Sequence, residues 1–206
     1  MGATVKTVIG GAIIAAGLTF NLLSFDSFLF FGLPMIAGVA AAFWNTRRHP
    51  GYSTAEQTAD LLRVYMGGHL LWSCLRYWMS DLQPAINHPV GGPFVESLVA
   101  MHAFPAIKTI EGFVGVLLLV NRFVPLALVV EIPTAVTIFY LNTFVTARLS
   151  GILTGPPELG VNVALMLLYF EHYRPMLAGQ ARVAPHHLIR LNRRANGISS
   201  APQGPN

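Results

Sequence analysis

The chain is short of charge and nearly without cysteine, and each shortage narrows what it can be. Asp, Glu, Lys and Arg together make up 11% of the 206 residues, against about 25% in an average soluble domain. That deficit points to lipid as the solvent. Cys74 is the single cysteine, so an intrachain disulfide and a cysteine-rich metal site are both excluded. It reads as a small buried apolar residue. Also missing is the apolar/polar alternation of barrel strands, which favours membrane-spanning helices over a barrel. There is no phosphate loop, no HExxH and no strand-turn-helix setting for a dinucleotide. Ser73, Ser80 and Ser97 lack a nucleophile elbow, so soluble-type catalysis is not expected and no catalytic or metal-binding residues are assigned.

What is present is apolar: 53% of residues, in continuous runs. A chain of this length accommodates about six spans of roughly 20 residues. The expected fold is therefore all-α, a polytopic transmembrane helical bundle. The pI near 9.6 does not imply nucleic acid, because the basic residues sit at the ends of apolar runs, as orientation signals do. Lys6 precedes an apolar run without a small-x-small cleavage site, so that run is kept as a span.

The predicted runs are 4–24 and 28–44, a small-residue-rich hairpin; 57–79; a short interfacial helix 94–102; 105–120; 126–144; and 159–170. Ser53 or Thr54, followed by Glu56, is the expected cap of the third run. "SGILTGPPE" reads as a turn-rich loop before the last span. These runs group into an N-terminal transmembrane hairpin (1–48), a four-helix membrane bundle (53–173) and a basic cytoplasmic tail (174–206). Lys6, Arg47, Arg48, Arg122 and the arginines of the tail fall on one side, which places both termini in the cytoplasm under the positive-inside rule.

A charged side chain near the bilayer centre costs roughly 2.5–3.5 kcal/mol on insertion scales, so each needs a partner or a wet cavity. Counted from Arg122 at ~1.5 Å per residue, Glu111 and Glu131 both lie roughly 14–17 Å deep. Lys108 is expected nearer the outer interface as a snorkelling anchor. His69 falls mid-span on the third run, and Arg76 lies two turns further along the same face. Pro133 is expected to kink the helix beside Glu131. Two readings of this set stand side by side. In one, Arg76 or Lys108 pairs with Glu111, His69 bonds Glu131 or a carbonyl, and the cluster only fixes helix register. In the other, His69, Arg76, Glu111 and Glu131 line a pocket that binds a polar head group and exchanges protons with it, as a quinone requires. His88 and His102 read as interfacial residues, and a bis-histidine haem is not expected.

"LLRVYMGGHLLWSCLRYW" (61–78) and "IEGFVGVLLLVNRFVPLAL" (110–128) resemble the first and second helices of DoxX-like membrane proteins, a likeness that covers about 59–172. The hairpin at 1–48 and Cys74 within "SCL" depart from that pattern. The resemblance implies association with membrane redox systems, including thiosulfate:quinone oxidoreduction, and transfers no agreed catalytic set. The expectation is an accessory subunit of a bacterial inner-membrane electron-transfer or energy-transducing complex. Its expected partners are membrane lipid and other subunits of that complex, with quinone or bound lipid as the candidate small molecule. The alternative expectation is a component that binds quinone itself.

Overall fold

A computed structural model describes residues 28–80, 86–177 and 179. The predicted first span at 4–24 and most of the basic tail lie outside the described residues. Every regular element described is helical. The chain divides into two units, Met1–Phe170 and Glu171–Asn206.

In the first unit, a π-turn at Phe28–Gly32 leads into α1 (Leu33–Arg48), followed by α2 (Thr54–Ser80), α3 (Gly91–Ala100), α4 (Ala103–Leu119), α5 (Val124–Tyr140) with a π-turn Leu141–Val145, and α6 (Leu149–Leu168). In the second, Glu171 and Arg174 form an exposed ion pair at 3.5 Å. Two helical segments, Phe28–Arg48 and Val124–Val145, are long and apolar enough to cross a membrane; α3 and α4, bent by 85°, count as a third if taken as one span. α2 is also long, but it carries Asp60, Arg63 and Arg76, and α6 is diluted by Gly155, Pro156, Pro157 and Glu158.

The local signals explain most boundaries. Ser53 is the cap of α2: its backbone N–H donates to Glu56 Oε2 at 2.7 Å, and the Glu56 N–H donates back to Ser53 Oγ at 3.2 Å, a reciprocal capping box. The Ser53 hydroxyl, which also donates to Glu56 Oε2, and the Ser53 N–H hold the exposed Glu56 carboxyl below its ordinary value. Pro125 sits in the first turn of α5, where its missing N–H costs nothing. His102, in the left-handed region at φ 57, marks the bend between α3 and α4, and His88 Nδ1 accepts from the N–H groups of Val90 and Gly91 at the start of α3. At the end of α1, Arg47 and Arg48 lie over Phe43 and Trp44 at 4.2 and 4.5 Å, a cation–aromatic pairing suited to an interface.

One element differs from the sequence expectation. The "SGILTGPPE" stretch is not a loop but the first half of α6, helical through both prolines. Its glycines account for this. A Cβ on Gly151 would lie 2.9 Å from the Asn142 carbonyl oxygen, and one on Gly155 would lie 2.9 Å from Asn142 Cβ. Two glycines four residues apart thus let α6 lie directly against the end of α5, and tertiary packing overrides local helix propensity.

Small residues set the other close approaches. A Cβ on Gly38 would meet the Leu61 carbonyl oxygen at 2.5 Å, which brings α1 onto α2, and one on Gly115 would meet the Gly67 carbonyl oxygen at 2.8 Å, which joins α4 to α2. Cys74 packs its Sγ against Gly112, in keeping with the apolar role expected for it. The core is formed by Met66, Leu70, Val114, Leu118, Val124, Ala127, Leu128 and Leu165, from α2, α4, α5 and α6. Phe113, Phe123 and Leu126 point outward, as lipid-facing side chains do.

Candidate functional site

α2 and α4 run antiparallel, and the glycine contacts between them bring Ser73 level with Glu111. Glu111 is 1% exposed. Its Oε2 accepts from Ser73 Oγ at 2.8 Å. Lys108, one turn earlier on α4, donates to Glu111 Oε2 at 2.7 Å, to Oε1 at 2.9 Å and to Ser73 Oγ at 2.8 Å. The ammonium has three donors and all three are engaged. Lys108 is therefore not the outward-snorkelling anchor expected from its depth. It folds inward over the Phe104 ring, 5.4 Å from the centroid, and neutralises the buried acid. The i,i+3 spacing of Lys108 and Glu111 was the sequence signal for this pairing.

This charged pair closes one end of a cavity of about 240 Å³ between the bent α3–α4 unit and α5. Phe94, Val95 and Leu98 supply one wall, Phe104 and Ile107 a second, and Pro133, Thr134, Thr137, Ile138 and Leu141 the third. The cavity is smaller than the roughly 300–1,000 Å³ of drug-sized sites. It has room for one ring-sized group, to which Glu111 can offer its remaining acceptor positions and Lys108 can donate by exchanging one of its three bonds. Pro133 deprives the carbonyl one turn back of its helical N–H donor, and Thr137 Oγ1 donates to the Pro133 carbonyl at 2.8 Å.

Of the four residues expected to line a head-group pocket, Glu111 lines this cavity. The lining described for the cavity does not include His69, Arg76 or Glu131. His69 stacks on Phe31 and Tyr65, with centroids 5.1 and 6.2 Å away. Its Nδ1 lies 3.0 Å from the Phe30 carbonyl oxygen. A carbonyl only accepts, so Nδ1 carries the proton and Nε2 is left facing Glu158 Oε2 at 3.9 Å. Arg76 lies 5.3 Å from the Phe30 ring centroid. Glu131, on α5, is fully buried, within electrostatic reach of Glu111, Glu158 and Lys108.

Sequence reading missed two residues of this interior. Glu158 was assigned to a loop because Pro156 and Pro157 precede it, yet α6 carries it inside, with 11% of its side chain exposed. Asp60, at 5% exposure on α2, is the other. It accepts from Asn45 Nδ2 at 2.6 Å and from the Tyr52 hydroxyl, and it pairs with Arg63 at 2.9 Å. Arg63 in turn donates to the carbonyls of Leu118 and Leu119, which ties the end of α4 to α2. This second cluster locks three helices together. Among the described residues, no group of His, Cys, Asp and Glu has the geometry of a metal site.

No protein-family model, curated protein or solved structure matches the chain. The functional reading rests on the geometry of the all-helical fold and its charged interior.

Proposed function

We propose that this chain is a polytopic membrane protein, DoxX-like in the order of its helices, that acts as an accessory subunit of an inner-membrane electron-transfer or energy-transducing complex. In this reading, the cavity between α3, α4 and α5 holds the head group of a quinone-class molecule while its tail remains among lipid chains. The observation that carries the reading is the Lys108–Glu111 pair at the end of an otherwise apolar cavity. The carboxylate, which retains open acceptor positions, accepts from a hydroxyl of the reduced form, and the ammonium turns one of its three donors from Ser73 or Glu111 to a head-group carbonyl oxygen. A purely structural ion pair would not require the apolar hollow beside it. Six spans with both termini in the cytoplasm remain part of the proposal, supported by the distribution of Arg47, Arg48 and Arg122.

The test is purification of the full chain from native membranes in a gentle detergent, followed by identification of co-purifying subunits and quantification of extracted quinone. The proposal expects a larger assembly containing quinone. It also expects Glu111→Gln to lower quinone content severalfold and His69→Ala to leave it unchanged, because His69 stands apart from the cavity. A lone monomer would remove the accessory role. Equal quinone content in the wild type and Glu111→Gln would remove the binding role.

A further inference from the structure

The cavity leaves one buried polar feature unused. Glu131 and Asn162 are each 0% exposed, and both carboxyl oxygens of Glu131 and both side-chain polar atoms of Asn162 have no hydrogen-bond partner among the described residues. Their positions correspond across the α5–α6 pair. Gly155 of α6 meets the Ile138 carbonyl of α5, its Cβ position 3.5 Å from that oxygen. The two helices are antiparallel. Two turns further along α6 is Asn162, and two turns back along α5 is Glu131. Leu165 and Leu128, the next residues on these faces, belong to the same core cluster, in keeping with that register. The carboxylate and the carboxamide therefore face a common space, too far apart for a direct bond.

Three of the four unpartnered atoms are oxygens, one group is an acid, and the complement of such a set is a small positive charge. The neighbouring ammonium is already placed, since Lys108 is held by Glu111 and Ser73, and the His69 imidazole faces Glu158. Hard cations take oxygen ligands, and a divalent ion calls for more than one available carboxylate. With Glu111 held by Lys108 and Glu158 opposite the His69 imidazole, Glu131 is the buried carboxylate with no hydrogen-bond partner among the described residues, which favours a monovalent ion. We infer that Glu131 and Asn162 form an alkali-cation site between α5 and α6, with the Glu131 carboxylate and Asn162 Oδ1 as ligands.

The full chain in detergent is tested by thermal unfolding in sodium, potassium and choline chloride at equal ionic strength and fixed pH, and by equilibrium dialysis with radiolabelled sodium. Stabilisation should saturate with sodium or potassium and be absent with choline; the more effective ion identifies the occupant. Glu131→Gln and Asn162→Leu should each weaken sodium binding about tenfold or more. Because Glu131 lies apart from the cavity, both variants should keep their quinone content, so this inference and the head-group reading fail separately. Should Glu131→Gln not fold, Asn162→Leu carries the test. Identical unfolding in all three salts overturns the site. So does undiminished sodium binding in Asn162→Leu, or stabilisation that follows pH alone, since a proton would then neutralise Glu131.

Discussion

Replacing Lys108 with methionine keeps the length and most of the volume of the side chain but removes the charge that neutralises Glu111. Three hydrogen bonds are lost, to Ser73 Oγ and to both carboxyl oxygens. Glu111, with 2% of its side chain exposed, is left with the Ser73 hydroxyl alone. Breaking a buried ion pair by removing one partner costs about 3–5 kcal/mol. Lys108 keeps 15% of its side chain exposed, which puts the cost near the lower end, about 3 kcal/mol. For a chain of this size that lowers the unfolding midpoint by about 6–12 °C. The double variant Lys108→Met/Glu111→Gln removes both charges and should recover to within about 1 kcal/mol of the wild type. The assay is thermal unfolding of the four proteins of the cycle in one detergent. A double variant that loses the sum of the two single losses would refute the pairing, because independent residues add.

Further outcomes test the packing and the inner polar cluster. Gly115→Ala should destabilise by about 1–3 kcal/mol through overpacking, because its Cβ would lie 2.8 Å from Gly67 and Leu71 backbone atoms. Gly160→Ala, with nothing within 4 Å of its Cβ position, should instead stabilise by about 0.5–1 kcal/mol; denaturant unfolding separates the two. Tyr52, in the loop between α1 and α2, is pushed up from 10.0 to about 12 by burial and by its hydrogen bond to Asp60. A raised folded value gives stability fully present below pH 10 and lost as pH rises toward about 12. Unfolding measured across that interval should show the loss in the wild type and not in Tyr52→Phe. Arg63→Lys keeps the charge but not the fork that reaches Leu118, Leu119 and Asp60 together, and should cost about 1.5–3 kcal/mol. Faster amide exchange at the end of α4 is the local readout.

Much of this architecture was legible in the sequence, and the gaps have physical causes. The capping box at Ser53 and Glu56, the proline start of α5 and the break before α4 are local signals that a one-dimensional reading captures. α6 was only half legible, since Gly151, Gly155, Pro156 and Pro157 all argue locally for a loop. The close approach that makes two of them useful is made by α5, distant in sequence. The same error concealed Glu158. Depth counting correctly brought Glu111 and Glu131 into one buried region. It could not assign facing, because about 100° per residue decides whether a side chain meets the cavity or the core. Glu111 lines the cavity and Glu131 does not. Lys108 shows the same limit: depth alone puts it at the outer interface, while the acid one turn later draws it inward into the ion pair that the register-fixing reading allows for it.

The head-group cavity is the central claim, and filling it tests that claim most directly. Ile138, on the α5 wall, is changed to tryptophan, which fills the space and leaves Lys108 and Glu111 themselves unaltered. Quinone extracted per mole of purified protein is then compared with the wild type, alongside the unfolding midpoint. The account predicts that Ile138→Trp stays folded, with a midpoint close to the wild type, and loses its quinone. A folded Ile138→Trp protein that retains the wild-type quinone content would contradict it.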